Sequence, residues 1–404
     1  MKHGPLMFLK LGQVPTLVVS SSEMARKIMK THDLIFASRP VLKASHTVLY
    51  GNNDLALAPY GEYWRQMRKI CVTHLLSMRR VQLFQAAREK EVAHLMDKIV
   101  FHASSHPLKA LNMSQVLFCF TNDMLCRAIL GEFSRDQEGR NEIFLEMIEE
   151  NMILFSGFNL DDYFPSIGWL TSLLGFDERA KRNFRRWDGV LSKMIEEHKN
   201  KKDGDHLKDE DFVDILLSLK KDAAVDFNLN DEHIKALLVD MFAAGTDTSY
   251  IVLEWGMAEL IRNPNVMKKL RDEINGIASG KSMVNEDDLS EMHYLKAVIK
   301  EILRLHPPAP LLIPRESMDN CQLEGYKIPR QCRVIINCWA ITRDPKEWDM
   351  PNEFIPERFV NNTMDFKGQD FKYIPFGSGR RICPGIGFAI STVELALANL
   401  VLQI

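Results

Sequence analysis

Residues 231–262 carry an apolar helical pattern, and nothing else in the sequence limits the fold as strongly. About 30 residues at 1.5 Å each make a helix roughly 45 Å long, enough to cross a whole domain. Ile234, Leu237, Leu238, Met241, Phe242, Ile251, Leu253 and Trp255 surround it on most sides, so it has to be central and covered. Asn230 reads as its N-cap, Asp231 and Glu232 fall in the first turn, and Asn263-Pro264 stops it. From about residue 60 to 262 the pattern stays helical, with loops expected at 101–110, 156–176 and 200–211. Strand signals are confined to two places. Residues 6–20 read as two short strands around Gly12-Gln13-Val14-Pro15, followed by a short helix over 23–31 capped by Ser22. Residues 309–338 form a second β-like stretch, with turns at Glu324-Gly325 and Pro329-Arg330, and an irregular proline-rich segment follows at 344–360. With no repeat and no low-complexity linker, the expectation is one domain over 1–404, mainly α with a small β region built from both ends.

Composition narrows the class more than the fold. The chain has 404 residues, 46% hydrophobic and 26% charged, an ordinary globular balance. A net charge of −3 gives no electrostatic reason to expect a nucleic-acid partner. Seven cysteines without regular spacing argue against a disulfide framework. No uninterrupted apolar run reaches the ~18–20 residues that span a bilayer. The start, Met1-Lys2-His3-Gly4-Pro5, has no apolar signal region, so the chain as written reads as soluble and without an anchor.

Residues 375–385 read Pro-Phe-Gly-Ser-Gly-Arg-Arg-Ile-Cys-Pro-Gly. Gly377 and Gly379 permit φ > 0 and let the backbone approach something flat and bulky. Beyond them Ile390, Val393, Leu397, Leu400 and Val401 keep one apolar helical stripe. Cys383 therefore lies at a helix N-terminus, where backbone N–H groups and the helix dipole favour a thiolate. Such a thiolate is a nucleophile or a metal ligand; the plainer alternative is one more buried, inert cysteine.

Three further patterns accompany it. Ala244-Gly245-Thr246-Asp247-Thr248-Ser249 is poor helix material in the middle of the long helix and predicts a local distortion. Glu301 and Arg304 stand three apart among Ala297, Val298, Ile302, Leu303 and Leu305, which predicts a buried ion pair. Trp64 and Arg68, four apart, project from one helix face. Two other patterns are set aside. Gly276–Ser282 is one residue short of a P-loop and follows a helix, and His102 with His106 falls in an expected loop without the glutamate of a zinc helix.

Phe376-x-x-Gly379-x-Arg381-x-Cys383-x-Gly385 resembles the haem-binding loop of the cytochrome P450 family. The resemblance implies the P450 fold, with haem b (iron protoporphyrin IX) as cofactor and Cys383 as the proximal iron ligand. Ala244-Gly245-x-Asp247-Thr248 is similar to the family's distal oxygen-binding groove: Gly245 leaves room for dioxygen, and Asp247 with Thr248 relays protons. Glu301, Arg304 and Arg358 match the family's network that locks the cysteine loop, while Arg39, Trp64, Arg68, Arg315 and Arg381 match residues that contact the haem propionates. Leu303-Arg304-Leu305-His306-Pro307-Pro308 and Asn337-x-Trp339-Ala340-Ile341-x-Arg343-Asp344-Pro345 resemble plant A-type members, family 71 in particular.

The implied activity is a monooxygenase that places one oxygen atom from O2 into a small lipophilic plant metabolite, terpenoid-like or otherwise specialised. The implied electron donor is NADPH-cytochrome P450 reductase at the cytosolic face of the endoplasmic reticulum membrane. Lys69, Arg79, Arg80, Lys372 and Arg380 form a basic counterpart to that reductase's acidic face. Two alternatives stand beside it: a non-oxygenase haem-thiolate enzyme such as an aldoxime dehydratase, and an inactive truncated remnant. Against the family pattern the chain is expected to be incomplete at both termini, lacking the anchor and the closing C-terminal strands, and to be marginally stable for that reason.

Overall fold

The computed structural model describes residues 3–131, 140–169, 171, 175–200, 210–222 and 227–403. Two compact units emerge, each assembled from three separate stretches: Met1–Leu75, Leu125–Ala244 and Ile313–Ile336 form the first, and Leu76–Met124, Gly245–Leu312 and Asn337–Ile404 the second. Helices dominate both. The long helix runs unbroken from Asp231 to Arg262, and the Asn230 side chain accepts the His233 N–H at 2.9 Å, as an N-cap should.

All the described strands lie in the first unit. Strands β1 (Leu6–Leu11) and β2 (Val14–Val19) pair antiparallel across a turn in which Gly12 takes φ +63°. A hairpin of β4 (Cys321–Leu323) and β5 (Tyr326–Ile328) turns at Glu324-Gly325, both at positive φ as such tight turns require. The short β3 (Arg315–Glu316) and β6 (Arg333–Ile336) join the N-terminal pair in the order β1-β2-β6-β3. The β2–β6 pairing is parallel, Thr16 opposite Arg333 through Val19 opposite Ile336, so the small sheet does draw on both ends of the sequence. Ser21, not Ser22, caps the following helix: its Oγ accepts the Met24 N–H at 3.3 Å. Two adjacent serines are equivalent as sequence signals, and the turn geometry selects the first.

The core of the second unit surrounds the final helix, Ile386–Gln403. Leu395, Leu397, Leu400 and Val401 are fully buried against Leu253, Leu260, Leu270 and Ile302. Each such side chain contributes about 2 kcal/mol of apolar burial. Gly256 lets the long helix come close: a Cβ there would stand 3.0 Å from Ile302 Cδ1 and 3.6 Å from Leu397 Cδ1. Two helices, Asp231–Arg262 and Ile386–Gln403, are long and apolar enough to cross a membrane by length and composition, although most of each apolar window is buried in the protein.

The helix Gln85–Ser105 extends into the loop expected at 101–110, because Ser104 and Ser105 are tolerated in a last turn and only Pro107 forbids continuation. His102 and His106 stack at 5.4 Å, and a ring nitrogen of His102 bonds the Lys109 carbonyl. The loop expected at 156–176 contains two short helical turns, Leu160–Tyr163 and Pro165–Ile167; that expected at 200–211 lies largely outside the described residues.

Asn399 carries an interaction that apolar packing cannot replace. Its side chain accepts the Val284 N–H (2.9 Å) and donates to the Val284 carbonyl (3.0 Å), fully buried. Asn399→Ala strands both backbone groups and should cost about 3 kcal/mol, read as a lower urea midpoint at unchanged slope.

Candidate active site

The cysteine turn is shaped by its own backbone. Gly377 and Gly379 adopt φ +72° and +71°, the left-handed region that a side chain disfavours. The Gly377 N–H donates to the Ile374 carbonyl (2.9 Å), the Ile382 N–H to the Gly379 carbonyl (3.1 Å) and the Cys383 N–H to the Phe376 carbonyl (3.1 Å). Cys383 is thereby fixed three residues ahead of the final helix, half-buried, whereas Cys71, Cys126, Cys332 and Cys338 are buried. Burial pushes the Cys332 and Cys338 thiols up to about 11 and 12, which keeps them protonated and inert.

Behind the turn stands Gly368, which nothing in the sequence flagged. It too has positive φ (+72°), and a Cβ there would lie 2.8 Å from the Gly377 carbonyl oxygen. The Ser378 hydroxyl donates to the Gly368 carbonyl at 2.6 Å, so the turn rests on bare backbone. In front it is open: the nearest atom to a Cβ built on Gly377 is Leu312 Cδ1, at 3.9 Å. Leu312 itself holds φ +49°, a conformation that costs a bulky residue roughly 1–2 kcal/mol.

Glu301, Arg304 and Arg358 meet. The Arg304 guanidinium forks onto the Glu301 carboxylate (Nε to Oε2 2.7 Å, Nη2 to Oε1 2.8 Å), both side chains 0% exposed. Its other N–H groups reach the carbonyls of Thr342 (2.8 Å), Pro351 (2.7 Å) and Glu353 (3.0 Å), which satisfies the whole guanidinium. Arg358 Nε stands 3.3 Å from Glu301 Oε1, and the Ile355 N–H donates to the same oxygen at 2.8 Å. The buried Tyr373 hydroxyl donates to the Lys300 carbonyl at 3.0 Å, one residue before Glu301, and so joins this helix to the segment entering the cysteine turn. Burial, then the Glu301 charge, raises the Tyr373 phenol well above its usual range.

The poor helix formers at 244–249 do not interrupt the long helix, which stays α-helical from Asp231 to Arg262. A neighbouring helix, Met113–Leu130, supplies partners to the polar residues instead: Thr121 Oγ1 donates to the Thr246 carbonyl at 3.2 Å. Thr246 and Ser249 are buried, Gly245, Asp247 and Thr248 half-buried, and Ala244 is exposed although the preceding turn is buried.

Of the residues expected to contact propionates, Arg39, Trp64, Arg68 and Arg315 lie in the first unit. Trp64 and Arg68 share the helix Glu62–Ile70, Trp64 buried and Arg68 half-buried. The Trp64 indole N–H donates to the Leu55 carbonyl at 3.0 Å. Arg39 donates to the carbonyls of Ala56 (3.1 Å), Ile313 (2.5 Å) and Pro314 (2.9 Å), clipping two segments together. Arg315 is buried, 3.5 Å from Asp33, and desolvation lowers its pKa from the ordinary arginine value. Asp240 was not anticipated. Its carboxylate accepts the N–H groups of Leu55 (2.6 Å) and Ala56 (3.1 Å), and burial, with Asp54 nearby, raises its pKa well above the carboxylate range.

The residues fit a haem. A cysteine sulfur is offered on a turn with no crowding side chain in front of Gly377, with Arg381 buried in the same turn. A cysteine thiolate is one of the axial ligands by which proteins hold haem iron, the haem-thiolate arrangement. The family description "Cytochrome P450" matches residues 1–403. Cytochrome P450 71A1 of Persea americana is 48% identical over 98% of this chain and 79% of its own length, and strychnine-11-hydroxylase of Strychnos nux-vomica 45% identical over 100% and 78%. A solved zebra fish cytochrome P450, in a structure with abiraterone, superposes with TM-score 0.80 at 25% identity, covering 99% of this chain and 88% of that one. The chain belongs to the cytochrome P450 family and is a monooxygenase of the plant type that acts on specialised metabolites, with haem as cofactor.

Removing Glu301 leaves two N–H groups of a buried guanidinium unanswered. Glu301→Ala should cost about 3–5 kcal/mol and lower haem content in the purified protein, both read by thermal unfolding and the haem-to-protein absorbance ratio.

Proposed function

We propose that this chain inserts one oxygen atom from O2 into a small lipophilic plant metabolite, with electrons from NADPH delivered by NADPH-cytochrome P450 reductase at the endoplasmic reticulum membrane. The observation that carries this reading is the Cys383 turn: an open glycine face, a half-buried thiol and an N–H already bonded to Phe376. When bound, haem supplies oxygen activation, and a thiolate ligand favours O–O cleavage. The protein's own contribution is positional and electrostatic.

Cys383 supplies the sulfur, with Phe376, Gly379 and Gly385 shaping the turn; a Cβ at Gly385 would make an ordinary contact with Sγ, at 3.8 Å. Arg68, Arg315 and Arg381 each match a propionate contact of the family, a role that suits a bidentate guanidinium donor. Arg39 and Trp64, engaged with backbone carbonyls, set the shape of the segments beside them. Asp247 holds a proton acceptor and Thr248 a hydroxyl donor one residue apart on the long helix, the parts of a proton relay. Residues 45–58, 241–248 and 309–313 are mainly apolar, which suits a lipophilic ligand. An aldoxime dehydration consumes no O2, so a relay that carries protons to dioxygen has no task in it, and Asp247 and Thr248 in that role favour the oxygenase reading.

The reduced protein under carbon monoxide should show the red-shifted band of thiolate-ligated haem, and Cys383→Ser should lose it; a flat trace from the parent chain overturns the assignment. Thr248→Ala should divert oxygen consumption from product to peroxide by about tenfold or more, measured as peroxide released per NADPH oxidised with the reductase present. A variant that keeps the parental ratio removes Thr248 from the relay.

A further inference from the structure

Three buried polar side chains meet where the helix Met113–Leu130 crosses the long helix inside the second unit. Thr121 Oγ1 lies 3.2 Å from the Thr246 carbonyl and 3.1 Å from the Phe118 carbonyl, and Thr246 Oγ1 donates toward Asn122 Oδ1 at 3.5 Å. Thr121, Asn122 and Thr246 are 2%, 0% and 0% exposed. Apolar neighbours on the same helix, Leu117, Phe118, Phe120 and Met124, show that plain hydrophobic packing is available there. Polar groups are placed in its midst instead, and each must find a partner or cost its desolvation.

The location gives this contact its meaning. At 100° per residue Thr246 points roughly 200° away from both Ala244 and Thr248, so whatever fixes Thr246 fixes what the opposite face presents. The Thr121 hydroxyl shares its one proton between the Phe118 carbonyl (3.1 Å) and the Thr246 carbonyl (3.2 Å), and so ties the Thr246 peptide to the crossing helix.

We propose that Thr121 and Asn122 are positioning residues for the monooxygenase reaction. Through the carbonyl and hydroxyl of Thr246 they hold the turn from Gly245 to Ser249 in one rotational setting, and so aim Asp247 and Thr248 without touching substrate or haem. The inference rests on the relay reading of Asp247 and Thr248 given above.

The test uses haem-loaded protein and four variants. Thr121→Val removes the hydroxyl and keeps the shape, Thr121→Ser keeps the hydroxyl, Asn122→Ala removes the second partner, and Thr248→Ala is the reference. Two quantities are read: the C–O stretching frequency of the reduced carbon monoxide complex, which senses the polarity facing the iron, and peroxide released per NADPH oxidised. Thr121→Val should shift or split the C–O band and raise peroxide release about twofold or more, in the direction of Thr248→Ala, while Thr121→Ser stays near the parent. Parental values in Thr121→Val, with Thr248→Ala displaced, overturn the positioning role and leave the relay standing. If Thr248→Ala is also unmoved, the relay reading fails and this inference falls with it. Should Thr121→Val take up no haem, Asn122→Ala decides: displacement toward Thr248→Ala supports the role, and parental values or equal loss of haem overturn it.

Discussion

A guanidinium with no access to water must find a partner for every N–H it carries, and Arg304 does so entirely within the protein. Only one carboxylate answers it; the other partners are backbone carbonyls between Thr342 and Glu353. That stretch has almost no regular structure after the short helix Cys338–Ile341, so no ladder of its own holds it in place. The ion pair serves as its organising centre, and Arg358 and the Ile355 N–H add further ties to the same carboxylate. An irregular segment becomes rigid because a buried charge accepts nothing less than complete satisfaction.

The cysteine turn shows a complementary logic. Its shape comes from three left-handed glycines, two in the turn and Gly368 behind it, which place backbone against backbone where side chains would intrude. Leu312, whose Cδ1 would touch a Cβ built on Gly377, also holds a positive φ. Rigid polar bracing on one side and bare, uncrowded backbone on the other are the conditions for presenting a sulfur ligand at a fixed place without covering it.

Periodicity and flanking residues made much of this readable. The ends of the long helix, the first two strands and the burial of Glu301 with Arg304 follow from patterns that are local, or that repeat an apolar period. What stayed hidden depends on partners distant in sequence. Asp240 is one more polar residue until Leu55 and Ala56 bring their N–H groups to it, and Arg39, which the resemblance singles out, meets its carbonyl partners only when residues 313 and 314 arrive. The weak helix formers at 244–249 predict a local distortion, but propensity is a small term: the segment stays α-helical, and the crossing helix answers its polar groups. The end of the helix Gln85–Ser105 was misplaced for a humbler reason: serines permit either outcome, and only proline decides.

The interleaved make-up of the two units has a consequence for how the chain comes into being. Strand β2 cannot acquire its parallel neighbour β6 until the ribosome has produced Arg333, opposite Thr16 and 333 − 16 = 317 residues later. At ordinary synthesis speed that is a wait of roughly 15–60 s. The first unit needs residues up to Ile336 and the second draws on Asn337–Ile404, so neither can close before those stretches have emerged. Vectorial folding is therefore denied to this topology: the nascent chain spends its elongation with an unpaired strand edge and exposed apolar helices, in the care of whatever holds such surfaces apart.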